Sequence, residues 1–189
     1  MTVDLKIVEG CIAGKRRSQS QLYKQLAPGM LGVCMRYCHN KAEAEDILQE
    51  AFIKVFRNIK SLQKPAAIVG WVRSIMVNTA LTHYKKNKMY LEEITDDNIP
   101  DTSTSDEDEM GPVDPQILMN LIQSLPEGYK MVLNLYVFEG YTHKEIAEIL
   151  EISENTSKSQ LSKARKYIRK ELDAMNLFNK KHVTDERTV

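Results

Sequence analysis

The stretch THKEIAEILEISENTSKSQLSKARKYIRKEL, Thr142 to Leu172, decides how this chain is read. Thr142 and Glu145 form a T-x-x-E capping box, so a helix starts there. Ile146, Ala147 and Leu150 give that helix a buried stripe, and Ala147 is small enough for another helix to cross closely. The break at Glu151-Ile152-Ser153 is short, and Ser153 is a good N-cap for the next helix. From Ser153 to Lys166 that second helix carries one Leu and one Ala against four Ser and four basic residues. Ile152, Leu161, Ala164 and Ile168 supply its inner side. This is the pattern of a helix-turn-helix, whose second helix is polar because its outer face enters a DNA major groove. Lys158, Ser159, Gln160, Lys163 and Arg165 are the candidate contacts, with Lys166 beside them. Gln can bond adenine with two hydrogen bonds, and Lys or Arg can bond guanine. Ser157, Ser159 and Ser162 are short enough to allow close approach. A merely solvated helix face is the alternative. Ser157 stands where such units generally carry Val or Ile, so a looser contact between the two helices is expected.

Upstream, Pro115 opens one helix through QILMNLIQSL, and Pro126 to Phe138 holds another. In the latter, Met131, Val132, Leu135 and Tyr136 are expected to face inward.

The first half is also helical by pattern. Residues 2–13 have helical spacing and stop at Gly14. Leu22, Leu26, Met30, Val33, Cys34 and Tyr37 continue a stripe that Pro28 is expected to kink. Ile47, Leu48, Ala51, Phe52, Val55, Phe56 and Ile59 mark a strongly amphipathic helix. QKPAA at 63–67 breaks it, and a further helix is predicted over about 68–91. No stretch alternates with period two, so the fold class is all-α: two small helical domains, 1–91 and 116–175. Between them, 92–115 is acidic and rich in Ser, Thr, Gly and Pro, the composition of a flexible linker. The tail 176–189 has no reading beyond a frayed end.

The net charge of zero hides a segregation. Residues 1–91 carry a net +9 and residues 92–115 a net −10. A basic first domain suits a polyanionic partner. Within it, Thr82, His83, Tyr84, Lys85 and Lys86, with Lys88, form a basic, aromatic-interleaved helix end, which suits a separated nucleic-acid strand, while Asn78 one turn earlier reads on residues alone as a local hydrogen bonder. Trp71 is read as core packing rather than base stacking. Asp46, Gln49 and Glu50 form an acidic and amide patch opposite an apolar stripe, either a partner-facing surface or a solvated face.

Three cysteines, Cys11, Cys34 and Cys38, give no disulfide framework and suit a reducing compartment. Cys34, Cys38 and His39 lack a suitable fourth ligand nearby, so no metal is expected. No apolar run approaches the length of a membrane span. No Gly-rich phosphate loop, nucleophile elbow or paired catalytic carboxylate motif occurs, so an enzyme is not expected.

In order along the chain, AEDILQEAFIKVFRNI (44–59), GWVRSIMVNTALTHYKKNKM (70–89) and LPEGYKMVLNLYVFEGYTHKEIAEILEISENTSKSQLSKAR (125–165) resemble the conserved parts of a bacterial sigma factor of the extracytoplasmic-function group, small two-domain members of the primary sigma family. The resemblance implies a sigma factor that binds core RNA polymerase and directs initiation at promoter DNA. By position it implies polymerase docking by Asp46, Gln49 and Glu50. It implies −10 contacts by the Asn78 to Lys86 group, with Asn78 lining the pocket of a flipped base. It implies −35 contacts by Lys158, Ser159, Gln160, Lys163 and Arg165. The loop Leu62 to Ala66 departs from the Phe-Arg-Gly type of some relatives, so no −10 preference carries over. A cytoplasmic location and an anti-sigma partner, possibly membrane-bound, are also implied, with no cofactor and no small-molecule substrate. The rivals are a conventional helix-turn-helix repressor binding duplex DNA alone and an adaptor using only the first-domain helices.

Overall fold

The computed structural model describes residues 2–91 and 113–175, with side chains in the fourth helix described through Lys86. The acidic run 92–112 and the tail 176–189 lie outside the described residues, and so does the Lys88 side chain. The chain divides into two compact units, Met1–Thr95 and Asp96–Val189. Every regular element among the described residues is helical.

The first unit contains α1 (Leu5–Ile12), α2 (Arg16–Met35), α3 (Lys41–Asn58) and α4 (Ile68–Leu91). Asp4 caps α1 by accepting from the Lys6 N–H, and Gly14 ends the connection with φ +75°, a value that glycine adopts without strain. Pro28 lies inside α2, which nevertheless runs unbroken to Met35. The predicted kink does not interrupt the helix; Pro28 costs only one backbone donor on an exposed face. Asn40 caps α3 by accepting from the Glu43 N–H. Two short 3₁₀ turns, at Ile59–Ser61 and Pro65–Ala67, lead into α4. Leu22 and Leu26 from α2, Ile47, Ala51 and Val55 from α3, and Val72 and Met76 from α4 are buried together with Val8 of α1. Each of these Val, Leu, Ile and Met side chains stabilises the unit by about 1.5–3 kcal/mol. The three cysteines belong to this core as buried free thiols, and burial pushes the Cys34 thiol up to about 12.

The second unit contains α5 (Pro115–Ser124), α6 (Glu127–Leu133), α7 (His143–Leu150) and α8 (Glu154–Ala174). Asp114 caps α5 and Pro115 takes its first position. A π-helical turn, Asn134–Phe138, follows α6. Its wider winding breaks the 3.6 period on which the inward placement of Tyr136 was based. Met131, Val132 and Leu135 are buried as expected, but Tyr136 is 38% exposed and Val137 50%.

Candidate functional site

In the first unit, Asp46 and Gln49 stand exposed on the outer face of α3. Beside them, between α2 and α3, lies a mostly apolar groove of about 490 Å³ lined by Tyr23, Ala27, Pro28, Leu31, Leu48 and Gln49, with Lys24 and Glu45 also on its lining. Glu50 is placed differently. Its Oε1 accepts from Lys54 Nζ at 2.8 Å and its Oε2 from His83 Nε2 at 2.6 Å. Those two bonds, Lys54 first, hold the carboxyl down at about 2. Lys54 Nζ also donates to the buried Thr79 hydroxyl at 3.3 Å. Glu50 and His83, assigned from sequence to different partners, thus meet in one polar node between α3 and α4.

On α4, Asn78, Thr82, Lys85 and Lys86 are exposed, and the spacing 78, 82, 85 puts them on one stripe. The Thr82 hydroxyl donates to the Asn78 backbone carbonyl at 2.8 Å, and Asn78 itself is exposed. Tyr84 is half-buried, and Trp71 is half-buried one turn into the helix.

In the second unit the capping box forms in full. Glu145 Oε2 accepts from the Thr142 N–H at 2.8 Å, and the Glu145 N–H donates back to the Thr142 hydroxyl at 3.3 Å. The Thr142 bonds hold the Glu145 carboxyl below its usual range. Glu151 closes α7 in the left-handed region, φ 58°, and Ser153 caps α8 by accepting from the Thr156 N–H at 2.9 Å. The α8 inner face is Ser157, Leu161, Ala164, Ile168 and Leu172, all buried. Ser157 does not loosen the crossing. It is 0% exposed, and its Oγ lies 2.9 Å from His143 Nδ1, so a hydrogen bond joins α7 and α8 where a looser contact was expected.

The candidate residues of α8 separate by position. Lys158 is exposed and paired with Glu154 at 2.7 Å. Arg165 is exposed and lies over the Tyr136 ring, 5.9 Å from its centroid. The Ser159 hydroxyl donates to the Thr156 carbonyl at 3.0 Å, and Lys163 is half-buried. Gln160 leans the other way: its amide packs against Gly128 of α6, and Oε1 is buried without a hydrogen-bond partner. His143 and Tyr136 were not among the sequence candidates. Their rings stack at 4.6 Å with an interplanar angle of 22°. Burial first, then the charges of Lys158 and Arg165, lowers the His143 pKa. The capping box marks His143 as the first helical residue; nothing in a 3.6 period marks Tyr136.

Among the described residues no helix is long and apolar enough to cross a membrane, and no cluster of three His, Cys, Asp or Glu is arranged to hold a metal.

Comparison with known proteins gives the arrangement a family. Sigma-70 region 2 matches residues 22–89, and sigma-70 region 4 matches residues 116–168. The RNA polymerase sigma factor SigV of Bacillus subtilis is 32% identical over 141 residues, covering 75% of this chain and 82% of that protein. The RNA polymerase sigma-H factor of Pseudomonas aeruginosa is 27% identical over 183 residues, 91% of this chain and 95% of its own. The ECF RNA polymerase sigma-E factor of Escherichia coli is 26% identical over 176 residues, 87% and 92%. Among solved structures, the sigma factor RpoE of Bartonella quintana, in complex with the anti-sigma factor NepR, matches at TM-score 0.49 and 18% identity, over 82% of this chain and 96% of that one. The term primary sigma family gives way to sigma-70 family, whose regions 2 and 4 are the parts matched. The chain belongs to the sigma-70 family of RNA polymerase sigma factors, in its extracytoplasmic-function group, and is a promoter-specific transcription initiation factor rather than an enzyme.

Proposed function

We propose a division of labour between the two units. The second anchors on −35 duplex DNA through α8, and the first docks on core polymerase and captures the melted −10 strand. The observation that carries this is the two-sidedness of α8, which buries Ser157, Leu161, Ala164, Ile168 and Leu172 while Lys158, Ser162, Arg165 and Lys166 are exposed. A helix that needed only solvation would not carry so many cations and so little apolar surface next to a close helix crossing.

In the first unit, Asp46, Gln49 and the adjoining groove are the docking face, with Glu50 behind it. Asn78, Thr82, Lys85 and Lys86 face the strand. Asn78 offers both a donor and an acceptor to a Watson–Crick edge. Tyr84 and His83 lie at the side of this stripe. Unstacking a base costs a few kcal/mol. Contacts to flipped bases, with phosphate neutralisation by Lys85 and Lys86, offset it. In the second unit Lys158, Ser159, Lys163 and Arg165 face DNA, and Gln160 reaches a base only by leaving Gly128. The protein then works in the cytoplasm beside polymerase, and an anti-sigma protein is its natural antagonist.

Run-off transcription with core RNA polymerase on a promoter library tests this. Initiation that depends on both this chain and core, at templates sharing a −35 and a −10 element, is expected. No core-dependent initiation, together with a footprint on duplex DNA by the chain alone, would replace it with a conventional helix-turn-helix regulator.

A further inference from the structure

A tyrosine left on the surface of a small helical unit needs a reason. Leu135 beside it is fully buried, and a continued α-helix would set Tyr136 over the buried Val132, four residues back. Instead the turn widens: the Glu139 N–H reaches the Asn134 carbonyl at 3.2 Å, five residues back, and the Tyr141 N–H reaches the Leu135 carbonyl at 3.0 Å. Wide turns of this kind are rare and frequent at functional positions. Here the widened turn delivers the Tyr136 ring between the His143 ring, stacked at 4.6 Å, and the Arg165 guanidinium at 5.9 Å.

The contacts form a closed chain. Ser157 of α8 is buried and bonded to His143 of α7; His143 stacks on Tyr136; Tyr136 underlies Arg165, back on α8 two turns after Ser157. Among the described residues no carboxylate pairs with Arg165. A ring face attracts the guanidinium without using any of its five N–H donors. Lys158, seven residues earlier and therefore on the same side of α8, is held instead by the Glu154 carboxylate, a bond that DNA must share or break. Arg165 is thus a cation of α8 that is both oriented by a ring and left with its N–H donors available to a phosphate or a guanine edge.

We infer that Tyr136, backed by His143 and Ser157, is a positioning residue for Arg165 and sets −35 discrimination through it. The inference rests on the proposed −35 role of α8. Ordering a long side chain before binding removes part of the entropy cost of ordering it on DNA.

The test uses full-length protein with core polymerase and a −35 duplex selected from a random library by the wild-type holoenzyme. The readout is the ratio of binding to that duplex over binding to single-base variants of it. Arg165→Ala is expected to reduce the ratio. Tyr136→Leu is expected to reduce it about two- to fivefold, the range of an exposed cation–π contact, and Tyr136→Phe, which keeps the ring, is expected to restore it. In the Arg165→Ala background, Tyr136→Leu should add nothing. An additive effect there, or an unchanged ratio in Tyr136→Leu while Arg165→Ala loses discrimination, overturns the inference. An unchanged ratio in Arg165→Ala overturns the −35 role of Arg165 itself and the inference with it. Tyr136→Leu also removes the His143 stack, so its melting temperature is measured alongside, and a ratio that falls while the protein stays folded at the assay temperature separates positioning from folding.

Discussion

Glu50 on α3 and His83 on α4 meet at 2.6 Å, Oε2 to Nε2, with Lys54 completing the node at 2.8 Å on the other carboxylate oxygen. The helix proposed to face polymerase and the helix proposed to face the melted strand are therefore joined by one carboxylate, not by apolar packing alone. Polar bonds of this kind fix rotation and register, which the Val72 and Met76 contacts below them do not specify so narrowly.

The node has a defined pH dependence. The Glu50 carboxyl sits at about 2 when folded, below the ordinary value of 4.5. A depressed folded value means that its contribution is present above about 4.5 and is lost as pH falls toward about 2. The side chain is over a third exposed, so screening leaves about 0.5–1 kcal/mol. Denaturation of the full chain followed at α3 and α4 should show Glu50→Gln less stable than wild type by that amount near pH 6, with the gap narrowing below about 4.5 and closing toward about 2. A gap of constant size would mean that shape, not charge, holds the two helices.

His143 gives the second unit the same sign for a different reason. Burial, Lys158 and Arg165 disfavour its cation, so its folded pKa lies below 6.5. Stability from the neutral ring is complete above the unfolded value and falls as pH drops through the folded one. Imidazole resonances in the intact chain should titrate His143 below the ordinary value of 6.5. Ser157→Ala should leave the ring half-buried without its 2.9 Å partner and cost about 1 kcal/mol. A His143 that titrates at the usual position, indifferent to Ser157→Ala, would sink this account of the α7–α8 contact.

Much of this architecture was legible because it obeys a single period. The α4 bounds, the capping box at Thr142 and Glu145, the Ser153 cap and the Leu161, Ala164, Ile168 stripe follow from local rules and appear where those rules put them. What escaped depends on contacts across helices. The π turn that exposes Tyr136 has no composition of its own. Ser157 looked like a defect until His143, fourteen residues earlier, supplied its partner. Glu50 read as surface charge because His83 lies thirty-three residues away. Gln160 read as outward because Gly128, which leaves room for its amide, belongs to another helix.

That last contact can be reversed. A methyl group at Gly128 would lie 3.0 Å from Gln160 Nε2 and 3.3 Å from Oε1, both at the end of a flexible side chain. Gly128→Ala should therefore push the amide off α6 at little cost, and the better helix propensity of alanine offsets it by about 0.5–1 kcal/mol. Melting should be unchanged or raised. Gln160→Ala should alter −35 preference only in the Gly128→Ala background, where the amide is free to face DNA. Altered preference on substituting Gln160 in the wild-type chain would show instead that the amide already leaves Gly128 when DNA binds.

Asn78 separates recognition from folding most cleanly. It is exposed on α4, and its carbonyl is already occupied by the Thr82 hydroxyl at 2.8 Å, so the side-chain amide is what it offers to a partner. Asn78→Ala should raise or preserve the stability of the first unit, since alanine is the better helix former by up to about 0.7 kcal/mol. It should also lower core-dependent initiation about tenfold, the equivalent of roughly 1.4 kcal/mol of hydrogen bonding to a captured base. The loss should appear on duplex templates and shrink on templates whose −10 segment is already unpaired, because the amide then no longer has to help offset unstacking. Ser74→Ala, which removes only a local bond to the Gly70 carbonyl at 3.0 Å earlier on α4, is the control and should behave like wild type. Equal loss in both variants would mean that the α4 surface as a whole, not the Asn78 amide, carries the interaction.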